Sequence, residues 1–162
     1  WDKLMARGYR KAGLILYDHE ISSNHGEWEA AHFYSQNKRL KSNAFIPSLS
    51  FKHDQRFDRS KLSEWLVKYR PDVVLTTARK IYYLLIELGY RIPQDIGYVF
   101  LTTEKGSKLS GLDQQCIPIA KLGVRLLDQL VRNRELGVPE HQQLIQINGK
   151  WNEGKTIRPP MQ

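Results

Sequence analysis

Cysteine is nearly absent from this sequence. Cys116 is the single one in 162 residues, which excludes an internal disulfide framework and argues against a metal centre built on thiolates. A reducing cytoplasm suits such a chain, and Cys116 is expected as a packed thiol rather than a reactive one. Long apolar runs are missing too: nothing approaches the roughly 18 residues that a membrane span needs, and no signal peptide is visible. The five histidines, His19, His25, His32, His53 and His141, form no i, i+4 pair on a helix, so a metal site is not expected. There is no G-x-S-x-G elbow, no Walker glycine loop, no repeat and no low-complexity tract. These absences weigh against an enzyme and imply no cofactor. Asp18 and Asp72 look like a carboxylate pair until they are placed, since one ends a strand and the other begins one.

What is present is a basic, moderately apolar chain. Its net charge is +8, and 41% of its residues are hydrophobic, enough for the core of one domain or part of one. Residues 38–61 hold seven cations (Lys38, Arg39, Lys41, Lys52, Arg56, Arg59, Lys61) against Asp54 and Asp58. They scatter over a helix end, a loop and a helix start, so a solvated surface is expected rather than a DNA-reading element. The opening "WDKLMARGYR" lacks an initiator Met and reads as the inside of a helix, which predicts a fragment of a longer protein.

Strand and helix alternate along the chain. "AGLILYD" (12–18) is a short apolar run after a helix closed by Gly8. The stretch 26–40 reads as a helix with Trp28, Ala31 and Tyr34 on one side. "NAFIPSLS" (43–50) is a strand candidate that Pro47 confines to an edge or a strand end. Ser60 is the expected cap of a helix carrying Leu62, Trp65, Leu66 and Tyr69 at i, i+3, i+4 and i+7, stopped by Pro71. "DVVLTT" (72–77) is a β-branched run of the kind a parallel sheet buries on both faces. Ile81, Leu84, Leu85 and Leu88 repeat the helical stripe, and Gly89 ends it in the C′ position. Pro93 and Asp95 punctuate the turn before "IGYVFL". Repeated strand–helix–strand units predict a doubly wound parallel α/β sheet. After Thr103 come a polar excursion, "EKGSKLSG", a brief extended "LDQQ", and a long helix over 117–135. That helix has Pro118 in its first turn and Ile119, Leu122, Leu126 and Leu130 on one face. A late strand is expected around Ile145 and Ile147, then a surface tail.

In open parallel sheets, ligands bind outside the carboxyl ends of the strands. That rule selects Asp18 and His19 after the first strand, Thr76 and Thr77 after the third, and Thr102 and Thr103 after the fourth. Short hydroxyls and carboxylates there serve a polar ligand, or else cap the following turns.

The ordered set "LGYRIPQDIGYVFL", "SGLDQQ" and "RLLDQLVRNRELGVPEHQQLIQINGKW" resembles the ligand-sensing domain of LacI-type transcriptional regulators, as does the opening "WDKLMARGYRKAGLIL". The family's final-strand Trp is matched by Trp151. The resemblance covers essentially the whole chain and implies a periplasmic-binding-protein-like fold with an incomplete second lobe. It places residues 10–103 and 142–162 mainly in one lobe, and 104–141 in the crossing segment and long helix of the other. It also implies a small-molecule effector such as a carbohydrate in the cleft, a homodimer, no membrane partner, and DNA contacted by a helix-turn-helix upstream of Trp1. A solute-binding protein of a transport system shares the architecture and is the alternative.

The pocket departs from the family pattern. Thr77-Ala78-Arg79 stands where Asn-Asp is usual, and Thr102 replaces the strand-ending aspartate. No arginine stands near Asn24 to Trp28, the start of the second helix. Gln114 matches the hinge-strand glutamine, and Trp28 is placed to stack on a ring or to join the core. The candidate ligand-binding residues are therefore Asp18, His19, Trp28, Thr76, Thr77, Arg79, Thr102, Thr103 and Gln114. Losing an arginine and acids argues against a conventional pentose or hexose.

Overall fold

The computed structural model describes residues 1–39, 45–52, 58–135, 137–139, 141 and 143–161. The described elements are, in order, α1 (Asp2–Met5), β1 (Ala12–Tyr17), α2 (Asp18–Ser23), α3 (Glu27–Arg39), β2 (Leu49–Phe51), α4 (Arg59–Tyr69) and β3 (Val73–Thr76). They continue with α5 (Lys80–Glu87), β4 (Gly97–Thr103), β5 (Gly111–Asp113), α6 (Cys116–Arg132) and β6 (Lys150–Asn152). The six strands form one sheet in the order β2-β1-β3-β4-β5-β6, parallel except for the last pair. This is the doubly wound α/β architecture that the alternating pattern predicts.

The apolar runs enter this sheet because both of its faces are covered. Ile15, Val74, Tyr98 and Phe100 point to the face carrying α4 and α5, with Leu62, Trp65, Ile81 and Leu85 packed on them. Leu14, Leu16, Val99 and Leu101 point to the opposite face, where Leu4, Tyr9 and Ile157 meet them. Alternation along a strand with both sides apolar is the mark of a sheet without a wet face. Gly13 is required in β1, because a Cβ there would sit 2.1 Å from the Trp65 ring.

Local signals account for most element ends. Gly89 has φ +90, and the Gly89 and Tyr90 amides donate to the carbonyls of Ile86 and Leu85, which closes α5 in a Schellman turn. Arg70 ends α4 in the left-handed region immediately before Pro71. The turn into β4 is clamped by Asp95, whose carboxylate accepts from the Arg91 amide and guanidinium at 2.7–2.9 Å. Arg91 holds that carboxyl well below the usual range, at about 2. Asp72 sits where expected, at the amino end of β3, accepting from the amides of Arg10 and Lys11 and far from Asp18 along the sheet.

Several expectations are corrected. The cap of α4 is Asp58, which accepts from the Ser60 and Lys61 amides, and Ser60 lies inside the helix. In α3 the buried positions are His32 and Gln36, whereas Ala31 and Tyr34 face water. Gln36 is a sound core residue because its amide pairs with both backbone groups of Ile46. The late strand is β6, several residues beyond Ile145 and Ile147, which lie outside any strand. The tail is not a surface ending: Thr156 and Ile157 are buried, and the Arg158 amide donates to the Tyr9 hydroxyl at 2.9 Å. Cys116 is exposed at the start of α6, not packed. In the basic stretch, Arg39 pairs with Asp2 and Lys61 donates to the Ser50 carbonyl, so these two are anchored. Lys41, Asp54 and Arg56 lie outside the described residues.

The long helix α6 buries none of its residues. Its Ile119 and Leu122, with Leu144, Ile145, Gln146, Ile147 and Glu27, line a groove of about 540 Å³.

Candidate functional site

The chain leaves β1, runs out to the edge strand β2, and returns past β1 to β3. The helices that follow β1 and β3 leave toward opposite faces. Ile21 and Trp28 pack on one core and Ile81 and Leu85 on the other, so the carboxyl ends of β1 and β3 form the switch point at which open α/β sheets bind ligands. In register, Ile15, Thr76, Phe100 and Gly111 stand side by side across four strands. Tyr17 to His19, Thr77, Thr102 and Asp113 lie just beyond that row and share one rim.

Glu20 organises this switch point. Its carboxylate accepts from the Tyr17 amide at 2.9 Å and from the Thr77 hydroxyl at 2.5 Å, tying the end of β1 to the end of β3. The Tyr17 and His19 rings lie 5.5 Å apart beside it. Burial, reinforced by Glu20, raises the Tyr17 phenol above its ordinary pKa, so it stays a neutral donor. Thr76 is fully buried and its hydroxyl accepts from the Ala78 amide, which is the capping role of a strand-end hydroxyl.

Further along the rim, Arg79 lies at the start of α5 with its guanidinium 5.3 Å from the Phe100 ring centre. Behind it the buried Tyr98 hydroxyl donates to the Ala78 carbonyl, and burial pushes that phenol up strongly. Thr102 is exposed, while Thr103 is buried and donates to the Leu109 carbonyl at 3.4 Å. Gln114 is half-buried, and its amide N–H reaches the Leu101 carbonyl at 3.4 Å. Asp113 accepts from Gln115, which adopts a left-handed conformation at φ 59. Trp28 packs against the second core, beside the site rather than in its centre.

The structure thus gathers Asp18, His19, Thr77, Arg79, Thr102 and Gln114 on one rim and sets Thr76 and Thr103 beneath it as supports. Two residues were missed by sequence reasoning. Glu20 stands three positions after Tyr17, the spacing of a carboxylate that returns to a helix-capping amide, and this signal was legible. Asp113 had only the weak cue of an aspartate before a turn. Such a rim offers neutral hydrogen-bonding groups and a cation to a small polar ligand. Among the described residues no cluster of His, Cys, Asp and Glu is arranged to hold a metal ion.

Two segments far apart in the sequence, residues 106–113 and 150–156, meet beside the rim. Asn152, nearly buried, accepts from the Gly106 amide and donates to the carbonyls of Ser107 and Leu109 at 2.8–2.9 Å. Thr156 accepts from the Ser110 amide and donates to the Tyr98 carbonyl at 2.6 Å. A Cβ on Gly154 would lie 2.3 Å from the Ser110 nitrogen, so the two backbones touch. With β5 and β6 antiparallel beside them, residues 106–113 and 150–156 form one seam.

No family model matches the sequence, and no curated protein matches it. Solved structures do share the fold. A transcription-regulator-like protein from Staphylococcus haemolyticus matches with a TM-score of 0.71 and 13% identity, over 97% of this chain and 56% of that one. The lac repressor dimer bound to operator and an anti-inducer matches at 0.69 and 15%, over 98% and 56%. A LacI-family regulator from Enterococcus faecium with bound ribose matches at 0.65 and 13%, over 99% and 60%. The chain therefore has the periplasmic-binding-protein-like fold of LacI-type regulators and spans 56–60% of the length of these three. No helix among the described residues is long and apolar enough to cross a membrane.

Proposed function

We propose that this chain is the effector-sensing and dimerisation region of a LacI-type, DNA-binding transcriptional regulator acting in the cytoplasm. The observation that carries this reading is the shared fold along 97–99% of the chain with regulators, one described on its operator and one with ribose. On this reading residues 10–103 and 142–162 form one lobe, and residues 104–141 cross into the other and supply its long helix. The seam through Asn152 and Thr156 is then the hinge between the lobes. The effector, a polar molecule of carbohydrate size, sits against Thr77, Thr102, Gln114 and Arg79, with Asp18 and His19 on the near side. Closing the lobes on it changes the relation of two subunits and so the spacing of helix-turn-helix heads carried elsewhere in the protein. The chain acts by binding and not as an enzyme.

The test uses the full-length protein and DNA from upstream of its own gene, in a mobility-shift assay at fixed salt. Specific retention that a small polar metabolite raises or abolishes is the expected result. A protein that binds no DNA at any salt concentration, yet binds its ligand, would instead be a solute receptor. Thr102→Ala and Gln114→Ala are expected to weaken effector binding while leaving the melting temperature nearly unchanged. Unaltered affinity in both variants would place the pocket elsewhere.

A further inference from the structure

We infer that the effector of this protein carries an anionic group, a carboxylate or a phosphate ester, and that Arg79 is the residue that selects it. The inference rests on the regulator reading above and deepens it. Arg7, Arg39, Arg91 and Arg132 are each paired with a carboxylate at 2.6–2.9 Å. Arg79 is exposed at the rim, and among the described residues no carboxylate lies within ion-pair distance of it. What it has instead is the face of Phe100, 5.3 Å away, on a side chain only 6% exposed in the middle of β4.

A guanidinium lying on a fixed ring keeps its N–H edges free and points them in a defined direction, which suits two-pronged recognition of a planar carboxylate or a phosphate. The carboxylates nearby do not compete equally. Glu20 is held by the Thr77 hydroxyl and the Tyr17 amide, and Asp113 by Gln115. Among the described residues the Asp18 carboxylate has no ion-pair partner, which leaves it available to ligand hydroxyls. Thr102, exposed, adds a neutral donor. The rim thus offers the Arg79 guanidinium to one anionic group and neutral or acidic acceptors to hydroxyls, the pattern of a sugar acid or a sugar phosphate.

The experiment is a calorimetric titration of the full-length protein with matched sets of probes. Each set is a neutral sugar, its aldonic acid and its phosphate ester, for glucose, galactose and ribose, with inorganic phosphate as the ion control. One anionic member is expected to bind at least about tenfold more tightly than its neutral parent, the scale of a charge-assisted pair. Preference within that set separates carboxylate from phosphate. Arg79→Gln should erase the difference and Arg79→Lys should retain part of it, with the melting temperature of each variant checking that it is folded. Equal or tighter binding of neutral parents, no binding by any anionic probe, or a preference that survives Arg79→Gln would each overturn the inference. Operator retention by the unaltered protein, measured alongside, tells these failures apart from failure of the regulator reading.

Discussion

Single residues in this molecule are set by what their backbone neighbours need. Asp58 caps α4 although Ser60 has the more inviting position in the sequence, because the aspartate oxygen reaches two otherwise unpaired amides. Asp58→Ala is expected to cost about 0.5–2 kcal/mol in a urea unfolding curve, and Ser60→Ala less. His32 shows the opposite case, a polar ring enclosed at 5% exposure beside Trp1 with neither ring nitrogen hydrogen-bonded. Burial pushes its pKa down to about 4 from 6.5. The unfolded chain therefore takes up the proton first, so the contribution of this site to stability is full above pH 6.5 and is lost as pH falls toward 4. The loss should approach about 3 kcal/mol at the acid end. It should vanish in His32→Phe when unfolding midpoints at neutral and acid pH are compared.

Most helices and strands here keep the type that their sequence periodicity predicts, while the face they present follows their surroundings. In α5 the stripe of Ile81, Leu84, Leu85 is buried as the spacing implies, and Leu85→Ala should cost about 2–5 kcal/mol by thermal or chemical denaturation. In α3 the stripe fails. Gln36 is buried there because its amide meets both backbone groups of Ile46, which an apolar side chain could not do. Residues 145–147 alternate as a strand should, yet among the described residues no strand pairs with them, and a strand exists only through its partner's hydrogen bonds. The strand forms later, at Lys150–Asn152, where β5 provides that partner.

At the scale of the whole molecule, residues 106–113 and 150–156 are joined in one seam by the side chains of Asn152 and Thr156. Gly154→Ala would drive a Cβ into the Ser110 backbone. It is expected to destabilise the protein by about 1–3 kcal/mol and to speed amide exchange across residues 104–110 more than in β1 or β3. Arg7 adds a second tie, with its buried guanidinium bonded to both Glu153 carboxylate oxygens at 2.7 and 2.8 Å.

Alternation of short apolar runs with i, i+3, i+4 stripes was by itself enough to determine the doubly wound sheet and most of its helices. Those features depend on local periodicity and on the handedness of crossovers, both of which a sequence carries directly. The partners of each polar group were decided only in three dimensions. Glu20 finds Thr77 across 57 positions, Arg79 meets the Phe100 ring, and Asn152 meets Ser107 and Leu109 across more than 40. The burial of Thr76 and Thr103 and the return of the tail to Tyr9 and Tyr98 belong to the same class. A hydrogen bond between distant residues depends on where packing brings their backbones, and no local pattern in the chain encodes that meeting.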